Sequence, residues 1–197
     1  VAPQWQDLSF KLHFPTKSAG KFSIWGMGGQ SSVGNLAVKD TSKWEYISDY
    51  YEYNEFHKIG IIGLTHNYLF KNRKTYIRTV AVFSHTNDND QTDTLSYDLK
   101  PTNIWDESFI NNTFGISTSV NHKFNAKNVI RAGIIVKYKT YDFRNYFYNR
   151  EESKKEKRID NAGDTYFTEA FIQNKYRINS AIDINTGIHF TYIPLNK

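Results

Sequence analysis

The segment NDNDQTD places Asp88, Asp90 and Asp93 within a few residues of one another, and clustered carboxylate oxygens are what a hard cation such as calcium takes as ligands. The spacing departs from an EF-hand loop: Asp93 stands where the sixth-position glycine would be, and Leu99 where the twelfth-position glutamate would be. A solvated acidic loop tip accounts for the same residues with fewer requirements, so no metal site is assigned. A second group, WEYISDYYEY, supplies Trp44, Tyr46, Tyr50, Tyr51 and Tyr53. Such rings suit stacking on a sugar or packing against a peptide, although loops that pack on one another have the same composition. A third, EESKKEKRID at 151–160, is a mixed charge run, expected to be a solvated loop that could also meet lipopolysaccharide phosphates. Catalytic chemistry has little to stand on. HExxH, GxSxG, P-loop and GxGxxG patterns are all missing, and with them the geometries those motifs build. His13, His57, His66, His85, His122 and His189 are dispersed, and no cysteine is available for thiol, disulfide or zinc-thiolate chemistry. No enzymatic activity and no cofactor is expected.

The elements that would carry these residues alternate with a period of two. In AIDINTGIHFTYIP, Ile182, Ile184, Thr186, Ile188, Phe190 and Tyr192 share one face, while Asp183, Asn185, Gly187, His189 and Thr191 share the other. Strand-like stretches fall near 8–14, 21–29, 55–70, 75–87, 107–124, 128–146, 164–177 and 180–193. The richness in Tyr, Phe, Ile, Val and Thr favours strands, and no stretch carries a helical period. The mean hydropathy of −0.62 and the lack of any run of 18 apolar residues exclude a helical membrane protein. Aromatic residues at 16% exclude a disordered chain. The net charge of +5 is scattered rather than gathered on one stripe, so a nucleic acid partner is not expected. The opening VAPQWQDLSF has neither the basic nor the apolar region of a signal peptide.

The connections separate into two kinds. Short links at 15–20, 71–75, 125–127 and 178–180 alternate with long polar ones at 30–54, 88–106 and 147–163. In an up-and-down meander, alternate connections lie at opposite ends of the sheet, which is how outer-membrane barrels distribute short periplasmic turns and longer external loops. The stretches near 107–124 and 128–146 also exceed the 9–11 residues or so that a tilted strand needs to cross hydrocarbon. Phe14, Phe22, Tyr68, Phe70, Tyr76, Phe124 and Tyr176 all lie close to the short turns, as an interfacial aromatic girdle would.

The hairpins KLHFPTKSAGKFSIWGMGG, GLTHNYLFKNRKTYIRT, NHKFNAKNVIRAG and YRINSAIDINTGIHFTY resemble consecutive hairpins from the barrel of TonB-dependent outer-membrane receptors of the Bacteroidetes type, which carry a carboxypeptidase-regulatory-like domain ahead of the plug. The resemblance covers most of the chain apart from the long connections. It implies an all-β fold: an antiparallel up-and-down meander of about eight long strands that forms a section of a transmembrane β-barrel. Residues 1–197 would be part of such a barrel domain, without plug or signal peptide. The first residues would continue an earlier strand or loop, and Lys197 would precede another external loop.

The implied function is uptake of a nutrient (a siderophore, glycan or peptide) across the bacterial outer membrane. Implied partners are outer-membrane lipid, the nutrient itself and the inner-membrane TonB energy-coupling complex, reached through a plug that this chain lacks; a surface lipoprotein is a further candidate. On this reading Ile130, Ile134, Ile184 and Ile188 meet lipid, while Lys11, His13, Arg131, Lys137, Asp183 and His189 face the lumen. Trp44, Tyr46, Tyr50, Tyr51 and Tyr53 are then candidate ligand contacts. Two alternatives stay open: a complete eight-stranded structural or adhesive barrel, and a soluble β-sandwich or lipocalin-like binder with Ile134 and Ile188 inside.

Overall fold

A computed structural model describes residues 2–194; Val1 and 195–197, where the approach to a further loop was expected, lie outside the described residues. Eight strands form one antiparallel sheet in chain order: β1 (Gln4–Pro15), β2 (Lys21–Asn35), β3 (Tyr51–Leu69), β4 (Thr75–Leu95), β5 (Pro101–Lys123), β6 (Asn128–Asn149), β7 (Lys154–Arg177) and β8 (Asp183–Tyr192). The meander expected from the alternation is therefore present. Among the described residues each of β1 and β8 is paired on one side only, which leaves the sheet open at both edges.

The short turns at one end are built alike. Asn72 Oδ1 accepts from the backbone N–H of Lys74 and Thr75, Asn125 Oδ1 from Lys127 and Asn128, and Asn179 Oδ1 from Ala181 and Ile182. Each asparagine side chain stands in for a backbone acceptor and closes its turn locally. In the β1–β2 turn Thr16 does the equivalent, accepting from Ala19 N–H, and Gly20 takes a φ of +86° that an L-residue seldom adopts.

The opposite end differs from the expectation. The stretches 88–106 and 147–163, read as loops, are mostly strand: β4 runs to Leu95 and β5 starts at Pro101, while β6 runs to Asn149 and β7 starts at Lys154. Only residues 96–100 and 150–153 turn. The 30–54 stretch shortens likewise to 36–50, which holds two single-turn 3-10 segments, Thr41–Lys43 and Ile47–Asp49. Continuing the ladder pairs backbone groups that a loop would leave to water. Tall hairpin stems thus rise beyond the apolar part of the sheet, with β-bulges at Thr92/Asp93 and Asn145/Tyr146.

Candidate functional site

Register turns alternation along single strands into two continuous surfaces, because directly paired residues share a face. One face carries Phe14, Leu12, Phe10 and Leu8 on β1, opposite Phe22, Ile24, Gly26 and Gly28 on β2. It continues through the paired rows Ile77–Val120–Ala132–Ile172–Ile188 and Ala81–Ile116–Val136–Thr168–Tyr192. The opposite face carries Lys11, His13, Arg131, Lys137, Asp183 and His189 together, as the alternation required.

The described sheet is a single layer with no second layer over either face: on the apolar face Ile188 is 75% exposed and Ile134 49%, and on the polar face Ile59 is 57% exposed, although Ser23, Thr65 and Asn145 there are buried at 4%, 5% and 1%. Among the described residues, the only buried apolar side chains are Ala37 and Leu95, both at the end opposite the short turns.

Two aromatic levels bracket the apolar face. The lower one lies near the short turns, with Phe14 paired to Phe22, Phe22 stacked on His66 at 4.4 Å, and Tyr68 edge-on to Phe70 at 4.9 Å. Tyr76 lies at this level, next to the short turn as expected, but on the polar face rather than in the girdle: it pairs with Leu69 and Asn121, and its hydroxyl donates to Asn67 Oδ1. The upper level was not read from sequence. It is the paired row Phe83–Phe114–Tyr138–Tyr166, with ring centroids 4.6 Å apart for Phe83–Phe114 and 4.9 Å for Tyr138–Tyr166. Its signal was an aromatic of the same parity about ten residues up the strand, as from Tyr176 to Tyr166. Directly above it the face turns polar: His85 bonds Asn112 Oδ1 at 2.7 Å, and Asn112 donates to Thr140 Oγ1 at 3.2 Å.

The polar face is cross-linked by charge and hydrogen bonds. Glu169 meets Lys137 at 3.4 Å and His189 at 3.1 Å, and Asp183 meets Lys175 at 2.9 Å and Arg177 at 3.0 Å. His13 Nδ1 lies 2.8 Å from Ser23 Oγ. Arg131 sits over the Phe171 ring at 5.5 Å, within the range of a cation–π attraction. Trp25 lies across Gly63, its strand neighbour, and its indole N–H donates to Thr65 Oγ1 at 3.0 Å.

The aromatic group of the β2–β3 connection is only partly gathered. Trp44 packs on Tyr50 at 5.6 Å and on Tyr97 at 5.3 Å, a residue the sequence reading did not include, and Tyr50 packs on Tyr51 at 5.1 Å. Tyr46 stands apart and exposed, and Tyr53 sits on β3 beside the stems. Asp49 anchors the connection, accepting from Tyr46 N–H at 2.7 Å and Glu45 N–H at 2.8 Å. These backbone bonds hold its carboxyl below the usual carboxylate range. A carboxyl lowered by folding contributes stability above its unfolded value near pH 3.9, and that contribution is lost as pH falls through the folded value. The amide resonances of Glu45 and Tyr46 should therefore hold their positions down to about pH 4 and move only below it, and Asp49→Asn should abolish that transition. A transition centred above the ordinary carboxylate value would disprove the anchor.

Asp88, Asp90 and Asp93 do not converge. Asp88 pairs with His57 at 2.9 Å, Asp93 accepts from Asn103 at 2.7 Å, and Asp90 faces Glu55 and Glu107. Among the described residues no group of carboxylates, histidines and cysteines is arranged to hold a metal ion. No protein-family model matches this chain, and no curated protein matches it in sequence.

Proposed function

We propose that the sheet is wall from a β-barrel receptor of the bacterial outer membrane, of the TonB-dependent type that its hairpins resemble, and that it serves uptake of a nutrient from outside the cell. The carrying observation is the exposed apolar face bounded by aromatic rows on two levels. Ten residues from Tyr176 to Tyr166 span about 34 Å along the strand. At a tilt near 40° this becomes a height of roughly 26 Å, close to the ~25 Å apolar band of such barrels. The polar His85–Asn112–Thr140 row then falls at headgroup level, and the stems stand outside. The open edges at β1 and β8 favour a section of a wider wall over a small closed barrel, since a sheet in lipid must satisfy every edge. In this assignment the polar face lines a wet lumen, the stems and the Trp44 connection meet the cargo, and energy coupling acts through a plug and the inner-membrane TonB complex.

The cysteine-free sequence makes the test direct. Single cysteines at Ile134 and Ile188, labelled with an environment-sensitive fluorophore in lipid vesicles, should emit to the blue and be quenched by nitroxide lipids. The same label at Lys137 and His189 should emit as in water and be quenched by iodide. The reverse pattern, or protection of both sets from lipid and water alike, rules the assignment out.

A further inference from the structure

Charge divides unevenly between the two ends of the sheet. The short turns carry Lys17 and Lys21 between β1 and β2, Lys71, Arg73 and Lys74 between β3 and β4, and Lys123 and Lys127 between β5 and β6, with no carboxylate among residues 15–21, 69–75 and 123–128. All of these cations are exposed, and among the described residues none of them makes an ion pair. The turn between β7 and β8 adds Lys175 and Arg177, which share Asp183. The connections at the opposite end behave differently. Each lysine of residues 36–50 and 96–100 has its own carboxylate: Lys39 meets Glu52 at 2.6 Å, Lys43 meets Asp40 at 3.0 Å, and Lys100 meets Asp98 at 2.6 Å.

Unneutralised like charges on one surface repel one another and attract an anionic partner. Geometry narrows its shape. Successive short turns are two strands apart, about 10 Å, so the cations form a line along the sheet end and converge on no single point. A compact anion can meet one turn, whereas an extended anionic surface meets them all. The turns hold that line in place: Asn72 and Asn125 accept from the backbone N–H of Lys74 and Lys127, and Arg73 takes a φ of +53° inside its turn. A second, independent observation places the line at a definite level. Next to the turns on the apolar face stand Phe14, Phe22, Tyr68, Phe124 and Tyr176, rings that favour the headgroup region. Toward this end the strands therefore run from aliphatic side chains to rings to cations, the order of hydrocarbon, interface and charged headgroups. Lysine stems also lie along apolar surface while their heads reach outward.

We propose that the short turns form a docking line for the headgroups of anionic phospholipid, of the phosphatidylglycerol kind, in the leaflet at that end of the wall. Each lysine or arginine close to an anionic leaflet strengthens association about fivefold. The far end, with its lysines already paired, has no such pull, so the charge also fixes which way the wall faces. The inference deepens the receptor reading by naming a lipid partner, and it rests on that reading for contact with a bilayer.

The test uses the full chain in vesicles of phosphatidylcholine mixed equally with phosphatidylglycerol, with a fluorophore on Ala126→Cys, an exposed turn position. Nitroxide-labelled phosphatidylglycerol should quench it more than nitroxide-labelled phosphatidylcholine at the same mole fraction, and high salt should erase the difference. Lys123→Gln combined with Lys127→Gln should lower that preference about fivefold or more. Lys43→Gln combined with Lys100→Gln, at the far end, should leave it unchanged. Insertion is scored separately by the Ile134 label, which all variants should report as the parent does. Lipid contact at Ile134 without a preference for phosphatidylglycerol at Ala126 overturns the docking line and leaves the wall assignment standing. Absence of lipid contact at Ile134 sinks the wall assignment, and the docking line with it. A preference that survives in the Lys123 and Lys127 variant overturns the proposal. So does a surface that ignores phosphatidylglycerol and binds polyglutamate, which would belong to an acidic protein.

Discussion

Arginine in place of Ile134 should cost about 2–4 kcal/mol of folding free energy in a bilayer, while arginine in place of Ser117 on the neighbouring strand should cost close to nothing. Ile134 lies on the apolar face of β6, midway between Ile130 and Tyr138, and is paired with Thr118 and Ala170. In the proposed wall assignment a guanidinium there has to sit in hydrocarbon or drag water to it. Ser117 is paired with Val80 and Ile135 on the opposite face, where the same assignment keeps a new charge hydrated. The measurement is equilibrium unfolding by denaturant in lipid vesicles, with both variants compared at one temperature. Equal losses would mean that the two faces meet the same solvent.

Glycine-to-valine at position 63 should cost about 1–3 kcal/mol, the range for forcing extra carbons into a filled space. A Cβ on Gly63 would overlap the Trp25 ring, which spans this glycine to reach Thr65. Displacing the ring also strips a buried hydroxyl of its donor. In the Trp25→Ala background the same valine should cost much less, because the space is then vacant, and the difference between the two losses is the coupling between the pair. Additive losses would show that the ring and the glycine do not depend on each other. Gly133 is a stricter case: its added Cβ would lie 2.7 Å from the Phe171 ring and 2.9 Å from the Thr118 carbonyl oxygen, which is backbone and cannot swing aside. Glycines opposite large rings recur in sheets for this reason.

Alternation made the strands legible wherever one face was apolar and the other polar, and for that reason parity alone grouped Lys11, Arg131, Lys137 and His189 correctly on one surface. It failed in the stems. Around Asp88–Asp93 and Lys154–Asn161 both faces are polar, so the period-two signal vanishes although the ladder continues. The asparagine turns were legible as breaks; their shared hydrogen bonding was not, since it depends on side-chain geometry.

The facing of Asp90 on Glu55 and Glu107 was hidden for a different reason. Glu55, Asp90 and Glu107 are far apart in the chain, and a one-residue slip in either intervening register would turn one of them to the other face. Asp88, Asp90 and Asp93 are close in sequence, yet Asp88 and Asp90, although on one face, stand opposite His57 and Glu55 respectively, and the bulge at Thr92/Asp93 sets Asp93 apart. Tyr97 was missed likewise: its partner Trp44 sits on another connection, brought near only when that connection folds over the top of β4, where Leu95 N–H donates to the Tyr50 carbonyl.

Since every strand pairs with its immediate chain neighbour and three asparagine clasps pre-bend the links, assembly can proceed like a zip, each step drawing in only the next few dozen residues. Chains with such local wiring lose little entropy per closure. The whole topological expense is deferred to one place, the seam where the outermost strands must find partners of their own.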